Sequence, residues 1–486
     1  VCGIAGIIHL TEQPAERSTL QRMTDSMAHR GPDADGIWIE ANAALGHRRL
    51  SIIDLSSAAN QPFIDVSGRY IIVFNGEIYN YREVKRLIPD YAFHTTSDTE
   101  VLIAAYARWG RDCLKYLRGM FAFVIWDRRD HEVFMARDPM GVKPLYYYGS
   151  DGTLLFASEI RALLASGLVK KELNEAALPD YFSYQSFSCC DSVIRDIRQL
   201  EAGTWMRIKR QGVEKKRYWD VAAPAVGAAS GSTAFAQGDF SDKAGVQKKI
   251  HQLLLQSIQR RLVSDVPVGA FLSGGIDSSA VVGLMAEACG DKPDTFNIAF
   301  EEKEYDESGF AEVIARKFNT RHVKILLKPT VFLDELQNAL DAMDSPSGDG
   351  INSYVVSKAI RRNGMTVALS GVGGDELFAG YPFFLSYLRL RKMDWISNMP
   401  AGIRSGIAGL LATGAQDGKR GRLAQLLKLD SYSIDHAYPI FRQILSPGSI
   451  GELTTLMSGG MTSGGMKSGR AFLTSVQLDL IARKSD

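Results

Sequence analysis

No apolar run in this 486-residue chain approaches the ~18–20 residues a helix needs to cross a bilayer, so no membrane-spanning helix is expected. Nor is there an excess of either charge. Lys and Arg number 56 against 55 Asp and Glu, a net charge of +1, so bulk electrostatics favours neither nucleic acid nor an anionic membrane. The expected partners are small molecules, with no nucleic acid and no membrane among them. Cysteine is scarce: the five (Cys2, Cys113, Cys189, Cys190 and Cys289) show no metal-ligand spacing, and their odd count fits reduced thiols better than a disulfide framework. The first residues lack the basic-then-apolar pattern of a signal peptide, and a cytoplasmic location is the expectation.

What is present describes an ordinary globular protein, 45% hydrophobic and 23% charged, long enough for two or more domains. Composition divides it near residues 221–242, where a stretch rich in Ala, Gly and Ser and poor in charge reads as a linker. Before it, short β-branched or aromatic runs recur between turn signals, among them residues 69–74, 120–126 and 132–136. After it, apolar positions Ile250, Leu253, Leu254 and Ile258 mark an amphipathic helix over 247–262. The apolar run 268–272 then leads through a Gly/Ser turn into a helix over 280–289, a strand, loop and helix in sequence.

Three places could carry chemistry. Cys2 lies one cleavable residue from the N-terminus; were Val1 removed, its thiol and a free α-amine of pKa about 7.7–8.0 would form a nucleophile and base in one residue. The loop Ser273, Gly274, Gly275, Ile276, Asp277, Ser278, Ser279 combines close backbone approach, hydroxyl donors and a helix start, which makes an anion site. Asp277 is best read there as a Mg²⁺ ligand bridging to phosphate. No Gly-Lys-Ser/Thr follows, so γ-phosphate transfer is not implied. A second apolar run, 367–369, ends in Ser370, Gly371, Val372, Gly373, Gly374 and Asp375. Two such loops at the ends of parallel strands would face one crevice, where Asp277 and Asp375 could share the metal of bound ATP.

In combination these features resemble the glutamine-dependent asparagine synthetases, class-II amidotransferases, over most of residues 2–385. The resemblance rests on Cys2, on His29 to Asp33 (His-Arg-Gly-Pro-Asp), on Arg49-Leu50-Ser51-Ile52, on Asn75-Gly76-Glu77 and on Asp98. It implies an α/β chain of two domains: an N-terminal αββα Ntn-hydrolase sandwich over 2–210, a linker over 211–245, and an α/β parallel-sheet ATP-pyrophosphatase domain over 246–486. Cys2 would attack the glutamine amide, with Asn75 and Gly76 forming an oxyanion hole worth ~3 kcal/mol per donor. Arg49 would hold the α-carboxylate by a bidentate contact and Asp98 the ammonium, with Leu50, Ile53 and Glu77 completing the glutamine site. Leu272, Ile298, Ser370 and Gly371 would join the first loop in binding ATP, with Ile298 against adenine. The stretch 137–146 also matches and reads as structural or domain-coupling. ATP and Mg²⁺ are thereby expected, with ammonia passed internally to an acyl-adenylate, and a homodimer is suggested.

Two departures bear on the reaction. Val372 stands where asparagine-forming relatives commonly carry glutamate, so the acceptor could be aspartate or another carboxylate, such as a uronic-acid sugar or a peptide. The family usually continues well beyond a segment like residues 477–480, so the C-terminal domain is expected to be truncated, and Lys467 and Lys484 stand outside the family's context. A glutaminase without synthetase activity and a non-catalytic relative that retains Val1 are the other readings. Residues 457–469, rich in glycine, form a low-complexity stretch.

Overall fold

The computed structural model describes residues 1–187, 190–221, 242–302, 304, 306–412 and 418–457. Cys189, most of the expected linker, residues 458–469 of the low-complexity stretch, residues 477–480, Lys467 and Lys484 lie outside the described residues. The chain forms two compact units, one of residues 1–171, 196–344 and 349–371, the other of 172–195, 345–348 and 372 onward.

The first unit begins with twelve strands: Gly3–His9 (β1), Ala34–Glu40 (β2), Ala43–Arg49 (β3), Phe63–Ile64 (β4), Tyr70–Ile78 (β5), Gly119–Asp127 (β6), Glu132–Arg137 (β7), Tyr146–Ser150 (β8), Thr153–Ala157 (β9), Arg198–Gln199 (β10), Thr204–Lys209 (β11) and Gly212–Arg217 (β12). They form two six-stranded sheets, ordered β10-β8-β9-β1-β3-β2 and β12-β11-β7-β6-β5-β4. The alternation of side chains along a strand explains the layering. On β5, Ile71 and Val73 point into a core shared with Ile4, Ile8, Leu45 and Phe156 of the first sheet. Their neighbours Ile72 and Phe74 point the other way, into a second core built with Leu102, Ile103 and Ala105 of helix Asp98–Trp109. Helix Arg17–Asp25 covers the outer face of the first sheet so closely that a Cβ on Gly46 would meet Thr24 Cγ2 at 2.5 Å. This is an αββα sandwich. Both faces of the central strands are covered, each fully buried Ile or Phe contributing ~1.5–3 kcal/mol, so the runs read as continuously apolar.

The sandwich continues past residue 210, because β12 pairs with β11 from Thr204↔Arg217 to Lys209↔Gly212. This corrects the start of the linker. The strand Gly-Val-Glu-Lys-Lys-Arg is an exposed sheet edge whose charges suit solvent and disguise its strand character.

The same unit carries a four-stranded sheet, all parallel: Val268–Phe271 (β13), Asp294–Ala299 (β14), Arg321–Leu326 (β15) and Val367–Leu369 (β16), ordered β15-β14-β13-β16. The chain winds outward from β13 to β15, then returns to place β16 on the far side of β13. That reversal creates a topological switch point at the C-terminal ends of β13 and β16, the ligand position of open α/β sheets. Helices Lys243–Arg261, Ile276–Ala288 and Ser308–Lys317 cover the sheet through Ile258, Val282, Met285, Ala311 and Ala315. The amphipathic reading of the first helix holds for Ile258 and Leu254, while Leu253 is exposed. The second unit is helical, with a small core of Leu426, Ala437 and Ile440 packed by Tyr387 and Phe441.

Candidate active site

A cavity of about 690 Å³ in the first unit is lined by Cys2 together with Arg49, Leu50, Ile53, Asn75, Gly76, Glu77 and Asp98. They are delivered by four pieces of the sandwich: the start of β1, the end of β3 with the loop after it, β5, and helix Asp98–Trp109. Cys2 immediately precedes β1, and its sulfur engages the edge of Leu50, accepting from the backbone N–H at 3.4 Å. Burial pushes the thiol's pKa up, opposed by the neighbouring amine, by the Leu50 contact and by Lys143. The Val1 amine is turned inward beside it, and burial pulls that amine down to about 5.

Asn75 and Gly76 lie within β5, paired with Ala122 and Phe121 of β6, so this Asn-Gly is not a hairpin turn. The Asn75 side chain is fully buried, yet neither its Nδ2 nor its Oδ1 has a partner among the described residues. An orphaned buried amide is costly, and one lining a cavity beside a thiol is a donor held ready. A Cβ on Gly76 would lie 2.3 Å from Met120 O, so only glycine brings this backbone into place.

Arg49, at the end of β3, is buried and donates to Ser56 O and Asn60 Oδ1, both at 2.7 Å, and also to Asp54 O. These partners are all neutral oxygens, leaving a buried positive charge at the cavity wall. Asp98 occupies the first turn of helix Asp98–Trp109, its Oδ2 accepting Ile78 N–H at 2.9 Å. Burial raises its carboxyl to about 7, reinforced by the charge of Glu77. A guanidinium and a carboxylate lining one cavity suit the carboxylate and ammonium of an amino acid.

Two residues of this wall were not singled out by sequence reasoning. Arg30 donates from Nε to Cys2 O at 2.9 Å and from Nη1 to Glu159 at 2.8 Å, fixing the peptide behind the thiol. Lys143 lines the same cavity nearly buried; burial lowers its pKa while Glu77 resists the fall. The signal for Lys143 lay in the stretch 137–146. There Asp138 accepts the backbone N–H groups of Phe121, Val142 and Lys143, building the turn that presents the lysine.

The second constellation stands at the switch point. Gly274 adopts φ +85°, and a Cβ there would lie 2.5 Å from Phe310 Cβ, which explains the glycine. Ser273 and Ser278 share a hydroxyl contact at 2.9 Å that closes the loop. The helix that follows starts at Ile276, four residues earlier than its apolar pattern suggested, with Gly275 as N-cap and no side-chain cap on its first N–H groups. Those donors remain available to an anion. The Asp277 carboxylate in its first turn has no hydrogen bond or ion pair among the described residues. Ser279 Oγ is buried without a partner among the described residues. Gly371, after β16, packs so closely on this turn that a Cβ would meet Ser278 N at 2.8 Å. Leu272 N is fixed by Phe296 O at 2.8 Å, and Ile298 lies half-buried on β14. Asp375 belongs to the second unit, in the first turn of the short helix Gly374–Phe378.

Two family models match the chain, one described as a glutamine amidotransferase domain over residues 1–219 and one as asparagine synthase over 249–443. A Methanocaldococcus jannaschii protein with the provisional name asparagine synthetase (glutamine-hydrolyzing) 2 is 35% identical over 432 residues, covering 83% of this chain and 79% of that one. The chain belongs to the glutamine-hydrolysing asparagine synthetase family. Asparagine synthetase (glutamine-hydrolyzing) 1 of Bacillus subtilis, in the same family, is 34% identical over 430 residues, 87% of this chain; the match spans 65% of that relative's length. Amidase chry2 of Gibberella zeae is 32% identical over 385 residues, 75% of this chain and 55% of its own. No helix among the described residues is long and apolar enough to cross a membrane.

Proposed function

We propose that the chain is a glutamine-dependent amidotransferase in which Cys2 releases ammonia from glutamine for an ATP-activated carboxylate. One observation carries this reading. The cavity that holds Cys2 and Asn75 is continuous with space lined by Phe271, Val367 and Ala368 of the parallel sheet whose far end forms the phosphate-type loop. An internal passage matters because ammonia in bulk water at neutral pH is mostly protonated and not nucleophilic.

The residues divide the work. With residue 1 removed, the α-amine of Cys2 takes the thiol proton, the sulfur attacks the side-chain amide carbon, and Asn75 Nδ2 with Gly76 N–H stabilises the oxyanion. Collapse to a γ-glutamyl thioester expels ammonia, which leaves with the proton the amine had taken. Water then cleaves the thioester to glutamate and restores the thiol. Arg49 and Asp98 hold the α-carboxylate and the α-ammonium of the substrate, with Leu50, Ile53 and Glu77 around it. At the switch point, Ser273 to Ser279 and Gly371 receive the phosphates, while Leu272, Ile298 and Ser370 flank the nucleoside. The unpaired Asp277 carboxylate suits a hard cation, so Asp277 and Asp375 would hold Mg²⁺, which when bound neutralises departing pyrophosphate. The acceptor carboxylate becomes an acyl-adenylate, and ammonia displaces AMP.

Aspartate is the acceptor suggested by the relatives' names. A second reading, amidation of a different carboxylate, is favoured by Val372, an apolar residue 90% exposed at the position where the resemblance leads one to expect glutamate. The test is AMP release in the presence of glutamine, ATP and a panel of carboxylates, with asparagine quantified directly. Ordinary turnover on aspartate would remove the second reading. Glutamate release without AMP on any acceptor would leave a glutaminase alone. Intact mass before and after a thiol-trapping glutamine analogue reports whether residue 1 is gone and Cys2 reacts; a retained Val1 with no adduct would remove the catalytic reading.

A further inference from the structure

Asp54 has no place among the expected site residues, yet four residues hydrogen-bond to it. Its backbone carbonyl accepts from Arg49. One carboxylate oxygen takes Ser56 N at 3.1 Å and Ser56 Oγ at 2.6 Å. The other takes Thr96 N at 2.8 Å, two residues before Asp98. Its backbone N–H donates to Asp265 Oδ2 at 2.7 Å, and Asp265 returns the contact by donating its own N–H to Ile52 O at 2.9 Å. Asp54 itself is held at φ +54°, a left-handed conformation that a non-glycine residue keeps only when its surroundings impose it.

Asp265 lies outside the sandwich, between helix Lys243–Arg261 and β13, the strand that ends at the phosphate-type loop. The reciprocal pair of hydrogen bonds therefore joins the segment feeding that strand to the loop whose carbonyls anchor Arg49. Nearby, Val263 packs into the same core as Ile52 and Ile53, and Arg261 stacks over Tyr79 at 4.8 Å. The Asp265 side chain fills no core space, since the residue is exposed.

We propose that Asp265 is a positioning residue for glutamine: by clamping Ile52 and Asp54 it holds the left-handed turn at Asp54, and through it the direction of the Arg49 guanidinium. This rests on the glutaminase reading above. The clamp acts on binding, because it reaches the α-carboxylate end of the site through Arg49 and touches neither Cys2 nor Asn75. Losing it leaves the thiol and its oxyanion donors in place.

The test uses the full chain and two variants, Asp265→Ala and Asp265→Asn. Asparagine keeps an acceptor for the Asp54 N–H, whereas alanine offers none. In steady-state glutamate release, Asp265→Ala is expected to raise KM for glutamine about fivefold, the size of one lost hydrogen bond, with kcat within about twofold. Asp265→Asn stays within about twofold of the parent in both constants, a rescue that general destabilisation would not produce. Hydrogen exchange at the Asp54 amide gives a second readout and should be at least about fivefold faster in Asp265→Ala only. An unchanged KM in Asp265→Ala, a fall in kcat at constant KM, or unaltered exchange at Asp54 would each overturn the assignment. A parent chain that releases no glutamate defeats the glutaminase reading instead, and the exchange experiment still decides whether the clamp holds the loop.

Discussion

Arg30 donates from Nε to the carbonyl oxygen of Cys2 at 2.9 Å, while its Nη1 reaches the nearly buried carboxylate of Glu159 at 2.8 Å. The planar guanidinium satisfies both acceptors at once and fixes the peptide immediately after the proposed nucleophile. A lysine ammonium, a point charge on a flexible stem, cannot span both. Arg30→Ala and Arg30→Lys should therefore both lower kcat for glutamine hydrolysis by roughly 10²-fold, the loss typical of a misplaced reacting group. The measurement is single-turnover thioester formation with Cys2 intact; wild-type rates in Arg30→Lys would show that charge alone suffices.

Asn75 makes the opposite kind of prediction, one in which activity and stability part. Its amide is fully buried with both polar atoms unpartnered among the described residues, so the folded chain bears a desolvation cost that the proposed oxyanion would offset. Asn75→Ala should lower kcat by about 10²–10³, with KM changed little, as for loss of one oxyanion donor. Thermal unfolding should show a Tm no lower than that of the parent. A large drop in Tm would mean that Asn75 is paired in the resting protein.

The carboxyl of Asp98 lies at about 7, well above its ordinary 3.8, because it is buried beside Glu77. Two consequences follow, with defined signs. Since its folded pKa is raised, the folded state favours the neutral acid; the stability this group confers is complete below about pH 3.8 and is lost as pH rises through about 7. Asp98→Asn should accordingly unfold at a higher temperature than the parent at pH 8. In the proposed site, holding the ammonium of glutamine requires the ionised form, so kcat/KM should fall as pH drops below about 7, approaching tenfold per unit. In Asp98→Asn that limb should vanish along with most of the affinity. A parent profile flat from pH 5 to 8 would rule out Asp98 as the ammonium partner.

How far the sequence could be read depended on the range over which each feature is decided. The β5, β6 and β7 runs were legible because strands covered on both faces are apolar throughout, whereas the charged edge strand Gly212–Arg217 resembled a linker. The turn from β13 into the helix at Ile276 was legible because its glycines and hydroxyls lie within seven consecutive residues. The Asn75-Gly76 pair was open to a hairpin reading, since local pattern cannot distinguish a turn glycine from one demanded by Met120 O across a sheet. The contacts of Arg30, Lys143 and Asp265 were not legible for one physical reason: their partners lie far away in sequence, and pairing over such distances is fixed by tertiary packing.

Gly274 offers a way to separate the two halves of the proposed reaction. It combines φ +85° with a hypothetical Cβ only 2.5 Å from Phe310 Cβ and 2.8 Å from Ala311 N, the latter being backbone that cannot yield. An alanine there must bear a left-handed cost of about 1–2 kcal/mol and also push the loop away from helix Ser308–Lys317. The displaced N–H groups would no longer converge on phosphate, so Gly274→Ala should reduce AMP formation by at least about 10²-fold, as a misaligned ligand site does. The loop contributes nothing to the lining around Cys2, so glutamate release should continue at near the parental rate. Uncoupled glutamate and AMP production measured in one reaction is the expected signature; parallel loss of both would mean that the loop and the thiol site depend on each other's integrity.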